Sequence, residues 1–110
     1  MNVLTAKYII TEDELKVSLC GEIDHHSAST LREEIDEKIF EIKPKTLILD
    51  LKSIGFMDSS GLGLILGRYN KMKEIGGSLT VQNPTSGAIR VLRLAAADKI
   101  IPIEWTEEKN

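Results

Sequence analysis

Cysteine is nearly absent: Cys20 is the only one among 110 residues, which excludes an internal disulfide. Lying at the end of the apolar alternation LKVSLC, it reads as a small core residue rather than a nucleophile or metal ligand. Aromatic residues make up 5% of the chain, and the net charge of −3 is spread without any Lys/Arg block. The stacking surfaces and the basic footprint of a nucleic-acid binder are therefore both missing. No apolar run approaches the ~20 residues of a membrane span. The first ten residues, MNVLTAKYII, carry neither the basic region nor the cleavage site of a secretory signal, so a cytoplasmic protein is expected.

What is present has the dimensions of one domain, residues 1–110, with 42% hydrophobic content and enough chain for one modest core. Residues 3–10 and 15–20 read as strands joined by a turn at Thr11, Glu12 and Asp13. From Ala28 the apolar positions Leu31, Ile35, Ile39 and Ile42 define one helical face, and Pro44 stops it. Residues 46–51 (TLILDL) are nearly continuously apolar, as expected of a central strand in a parallel sheet covered on both faces, by helices or by a helix and a loop. A second helix follows, with Leu62, Ile65, Leu66, Tyr69 and Met72 on its stripe and Gly76-Gly77 as a left-handed stop. Residues 78–82 form another strand. Asn83 is placed to cap a third helix with Pro84 at its first position, burying Ile89 and Leu92. Residues 99–103 (KIIPI) close the sheet at an edge, because Pro102 has no N–H for a ladder. Alternating strands and helices predict an α/β domain with a mostly parallel sheet and right-handed crossovers.

The second helix contains a puzzle. In GFMDSSGLGLILGRYN, residues 55–70, Gly61, Gly63 and Gly67 each sacrifice about 1 kcal/mol of helix propensity relative to alanine. Either they let the helix pack closely, or they keep an outer surface bare. Ser60, Gly63, Leu64, Gly67 and Lys71 fall away from the predicted core stripe, so Leu64 is expected as an apolar knob between two bare positions, a shape that could receive a partner. Asp58 is placed to cap the helix, and Ser59 and Ser60 occupy its first turn, where unpaired N–H groups and the helix dipole favour negative charge. Helical geometry does not choose between these two serines as a phosphorylation site. The nucleophile-elbow pattern G-x-S-x-G is absent.

The only histidines, His25 and His26, are adjacent in GEIDHHSAS, residues 21–29. Neighbouring side chains diverge and no further His or Cys cluster completes a site, so no metal and no other cofactor is expected. Asp24 or Ser27 serves as a helix cap there. Loops following parallel strands emerge on one edge of the sheet, which would bring Asp24 and Ser59 to the same edge.

The segments GEIDHHSA and FMDSSGLGLILGRY, in this register, resemble the sporulation-type anti-sigma factor antagonists of the STAS domain family from about Leu19 to Gly77. The resemblance implies a single STAS-like domain with a mixed, mostly parallel sheet, an antiparallel N-terminal strand and three to four helices. It implies a binding protein rather than an enzyme: its unphosphorylated form binds an anti-sigma factor that is also a serine kinase, and binding frees the sigma factor. The position matching the family's phosphorylated serine is Ser59, and a serine phosphatase reverses the modification. Asp24, His25, Asp58, Ser60, Gly63, Leu64 and Gly67 are then the expected partner-binding residues. The sequence departs from the family pattern in two places: LRLAAADK, residues 92–99, lacks the glycine often found before the last strand, and residues 104–110 leave room for only a turn or two of a further helix. Two competing readings are a STAS-type module of another signalling complex, such as a stress-response regulator or a transporter's cytosolic domain, and a small metal-dependent phosphoesterase using Asp24, His25 and His26.

Overall fold

The computed structural model describes residues 3–106. Strands β1 (Thr5–Ile10) and β2 (Glu14–Ile23) form a hairpin closed by the Thr11 N–H donating to the Glu14 carbonyl at 2.9 Å. Helix α1 (His25–Ile42), β3 (Thr46–Met57), α2 (Ser59–Glu74), β4 (Ser78–Gln82), α3 (Ser86–Leu94) and β5 (Ile103–Glu104) follow. The sheet order is β1-β2-β3-β4-β5; β1 is antiparallel to β2 and the remaining pairs are parallel. The predicted class, the central position of β3 and the edge position of the last strand are all observed.

Side-chain parity shows where the core lies. Leu15, Val17 and Leu19 on β2, Leu47, Leu49 and Leu51 on β3, and Leu79 and Val81 on β4 join residues from all three helices in one buried cluster. The helices therefore share one face of the sheet, instead of covering both faces as the apolar run in β3 suggested. On the opposite face Ile48 and Asp50 are nevertheless buried, because neighbouring strands flank them at Lys16 and Thr80, and at Ser18 and Gln82. Asp50 accepts from Ser18 Oγ at 3.2 Å and from the Lys52 N–H at 3.1 Å. Cys20 shares the parity of Ser18 and is exposed, which corrects its assignment to the core.

The middle helix, α2, contacts α1, α3, β3 and β4. Its buried positions are Gly61, Leu64, Ile65, Arg68 and Met72, while Leu62, Leu66 and Tyr69 are half-buried. The stripe read from sequence was rotated too far toward Leu62, because a helix enclosed on three sides buries a wider arc than one lying on a single surface. Arg68 is 5% exposed, and its Nε lies 2.9 Å from Asp36 Oδ1 on α1. That pair is close enough for ionic attraction but misaligned for a hydrogen bond, and among the described residues Arg68 Nη1 has no hydrogen-bond partner. Burial pulls the guanidinium's pKa down, Asp36 opposes that shift, and Arg32 adds to it.

The helix ends follow local rules. After α2, Gly76 (φ 81°) donates to the Lys73 carbonyl at 3.0 Å and Gly77 to the Met72 carbonyl at 2.7 Å. This is the paired bonding of a Schellman stop, as the Gly76-Gly77 pair predicted. Helix α3 departs from expectation: its cap is Thr85 rather than Asn83. Asn83, at φ 48°, instead accepts from the Thr106 N–H at 2.8 Å and donates to Thr106 Oγ at 2.7 Å, clipping the final segment to the sheet. Residues 99–103 are mostly not strand. A 3₁₀ turn spans Ala97–Lys99, preceded by Ala96 in the left-handed region at φ 57°. A glycine would sit there without strain, and this is the stretch where the resemblance led to the expectation of one. Of the expected C-terminal turn, residues 107–110 lie outside the described residues.

Two stability predictions follow from these contacts. Replacing Asp36 with alanine leaves Arg68 buried without its counter-charge and should cost about 3 kcal/mol in denaturant melts. Much of that loss should return in an Asp36→Leu/Arg68→Met double variant. Ala96→Gly should raise stability by about 1 kcal/mol in the same assay.

Candidate functional site

Strands β2 and β3 end in register, with Ile23 paired to Met57, and each passes directly into a helix through an aspartate. Asp24 caps α1: the Ser27 N–H donates to its Oδ1 at 2.9 Å, while the Asp24 N–H donates to Ser27 Oγ at 3.0 Å. Asp24 and Ser27, alternatives in sequence, are thus two halves of one capping box. Hydrogen bonding from the Ser27 backbone, chiefly, holds the Asp24 carboxyl below its ordinary pKa of 3.8. The ionised cap stabilises the helix above that value, and its contribution is lost as pH falls through the lowered one. Asp58 caps α2 by accepting from the Ser60 N–H at 2.8 Å, and its own N–H donates to the Ile23 carbonyl at 3.2 Å, tying the two loops together.

The two serines of the first turn open in different directions. Ser60 lines a cleft of about 400 Å³ between α1 and α2, together with His25, Ser29, Arg32 and Gly63. Ser59 is exposed and lies on the rim of a groove between α2 and α3 whose other walls are Leu62, Val91, Leu94 and Ala95. The structure thus brings His25, Ser60 and Gly63 together, keeps Asp24 and Asp58 beside them as caps, and sets Ser59 on the outer side. Gly67 lies one turn farther along α2.

Leu64 must be corrected. It is 4% exposed and belongs to the core, so it is no apolar knob; the approach of α1 to α2 covers the face that periodicity assigned to solvent. The glycine question has a split answer. A methyl group on Gly61 would overlap the Met57 side chain and approach Ile23 Cγ2 at 3.2 Å, whereas nothing lies within 4 Å of the position a methyl would take on Gly63 or Gly67. Gly61 serves packing, and the other two leave the surface bare.

Arg32, Arg68 and the α3 wall of the groove were missed. An arginine inside the apolar run GLILGRY, with Asp36 on the preceding helix, was the available signal for the Arg68 pair. Nothing local in VLRLAA marks Leu94 as exposed. Among the described residues no group of three or more His, Cys, Asp or Glu side chains could hold a metal ion, which leaves the phosphoesterase reading without a ligand set.

Gly61→Ala should cost roughly 1 to 3 kcal/mol through overpacking. Gly63→Ala and Gly67→Ala should each gain up to about 1 kcal/mol, all three read from denaturant melts.

This geometry has known counterparts. The STAS domain model matches residues 6–110. An anti-sigma F factor antagonist of Paenibacillus polymyxa is 42% identical over 89 residues, covering 81% of this chain and 76% of that protein. The anti-sigma factor antagonist SpoIIAA in its unphosphorylated form superposes with a TM-score of 0.83 at 28% identity, covering 94% of this chain and 90% of that one. The Bacillus cell fate determinant SpoIIAA in its phosphorylated form gives 0.76 at 28% identity, with coverage of 94% and 93%. The paired aspartate-capped helix starts, the mixed five-stranded sheet and these likenesses together make this chain a member of the STAS domain family, of the anti-sigma factor antagonist type.

Proposed function

We propose that the unphosphorylated protein binds a cytoplasmic anti-sigma factor serine kinase and so frees its sigma factor, and that phosphorylation of Ser59 switches this binding off. The observation that carries the proposal is the exposed Ser59 hydroxyl on the first turn of α2, beside the joined Asp24 and Asp58 caps and ahead of the bare positions Gly63 and Gly67. Asp24, His25, Asp58, Ser60, Gly63 and Gly67 form the partner surface; Leu64 supports it from the core. That SpoIIAA is known in unphosphorylated and phosphorylated forms supports a phosphorylation switch.

In the modification, Ser59 Oγ bonds to the γ-phosphorus of ATP held by the partner, ADP leaves, and the hydroxyl proton passes to a base on the partner. The chain acts as substrate and ligand, not as an enzyme, and needs no cofactor. The phosphate brings about −1.5 to −2 charges. The helix dipole favours it by roughly 0.3 to 1 kcal/mol, so the fold tolerates it, while an interface would have to desolvate it next to Asp58. A serine phosphatase restores the binding form.

Incubation with the anti-sigma F factor of Paenibacillus polymyxa and ATP, followed by mass spectrometry, should place phosphate on Ser59. Phosphate on Ser60 alone, or none, contradicts the assignment. Ser59→Asp should weaken binding at least about tenfold by calorimetry with unchanged circular dichroism. Gly67→Leu should impair binding in a folded domain, whereas Gly67→Ala should not.

A further inference from the structure

The two edges of the sheet are unlike. At one, β5 is two residues long, follows Pro102 and is clipped by the Asn83–Thr106 bonds; short strands and prolines keep an edge from pairing with other chains. At the other, β1 runs for six residues, TAKYII, with no proline and Lys7 as its only charge. The closing Thr11–Glu14 bond and the β1–β2 register fix the alternation of the antiparallel ladder. Thr5, Lys7 and Ile9 bond β2, and the N–H and C=O groups of Ala6, Tyr8 and Ile10 point away from it. Val3, Ile9 and Ile10, on or just before this strand, are exposed at 68%, 46% and 54%, so the open edge is also apolar.

This edge is complementary to its own copy. Laid antiparallel about a two-fold axis at Tyr8, β1 of one molecule pairs Ala6 with Ile10, Tyr8 with Tyr8 and Ile10 with Ala6 of the other, each pair exchanging two main-chain hydrogen bonds. A small side chain then faces a larger one on the helix-covered face. On the open face Lys7 meets Ile9 instead of its own copy, so like charges are not set opposite each other. The helix layer above agrees. The Tyr8 hydroxyl donates to Glu34 Oε1 at 3.1 Å, and Lys38 Nζ lies 5.4 Å from the centre of the Tyr8 ring, which puts an acid and a base of α1, one turn apart, beside the axis. The two-fold reverses α1 and so turns Glu34 of each molecule toward Lys38 of the other.

We propose that the free edge of β1 is a docking site for a second copy of this chain, which joins two five-stranded sheets into one by antiparallel β1–β1 pairing centred on Tyr8. The seam is one strand wide, so the dimer is weak and reversible. Ser59 opens toward α3, on the other side of α2 from α1, and the pairing leaves it accessible.

The test is sedimentation equilibrium of the full chain together with amide exchange. A monomer–dimer equilibrium with Kd below about 1 mM is expected. Amide protection of Ala6, Tyr8 and Ile10 should rise with protein concentration, while that of Lys7 and Ile9, already bonded to β2, should not. Ala6→Pro removes an outward N–H that the β1–β2 ladder does not use, and should weaken the dimer at least about tenfold with unchanged circular dichroism. Ile9→Glu faces Lys7 of the other copy and should dimerise at least as tightly as wild type. Lys7→Glu/Ile9→Glu sets acids opposite each other and should weaken the dimer at least about tenfold. Phe40→Ser, at an exposed apolar site between α1 and α2, should dimerise as wild type, which separates edge pairing from nonspecific association. A chain that stays monomeric at about 1 mM, or a dimer that both Ala6→Pro and Lys7→Glu/Ile9→Glu leave intact, overturns the proposal. A monomeric wild type whose Ala6→Pro variant loses affinity for the anti-sigma F factor of Paenibacillus polymyxa assigns the edge to that partner, and the proposal fails.

Discussion

All three helices lie on one face of the sheet, and α2 is the middle one. That enclosure governs the other features of the domain. A helix with neighbours on both flanks and strands beneath has little room where it begins, so Gly61 sits against Met57 and Ile23. It has no free flank for a long cation, so Arg68 is buried and depends on Asp36 across the α1 seam. Only a narrow outer strip remains, and there Gly63 and Gly67 carry no side chain to fill it.

The same constraint places the chemistry. Because β2 and β3 are parallel and end in register, both following helices begin at one edge of the sheet. Each start leaves N–H groups to be satisfied, and Asp24 and Asp58 satisfy some of them. The Asp58 N–H also bonds the Ile23 carbonyl, so the two loops form one connected surface. Under the proposed function, a phosphate added there would meet a favourable helix dipole and an adjacent carboxylate.

Much of this was legible in the sequence, for identifiable reasons. Strand and helix order followed from periodicity and from Pro44 and Gly76-Gly77, and the two loops were recognisable because caps and glycines are local features. What failed were statements about facing. Leu64 and Cys20 were each assigned the wrong surroundings because periodicity describes one element at a time: it cannot register a second helix arriving at Leu64, or a sheet face left uncovered at Cys20. Asn83 misled because a good cap residue is equally a good left-handed turn residue, and the partner that selected the turn, Thr106, lies 23 residues away.

The two serines show what tertiary structure adds to a motif. Successive helical residues differ by about 100° in direction, so a single step along α2 moves the hydroxyl from one flank to the other. Ser60 turns into the α1 cleft among His25, Ser29 and Arg32, with its N–H already engaged by Asp58. Ser59 faces outward at an apolar trough. Were α2 at the end of the helical layer, one of these serines would face open solvent with no second helix beside it. As the middle helix, α2 gives each its own neighbourhood, polar and half-buried for Ser60, apolar and accessible for Ser59. Under the proposed function, a kinase would reach the second without parting α1 from α2.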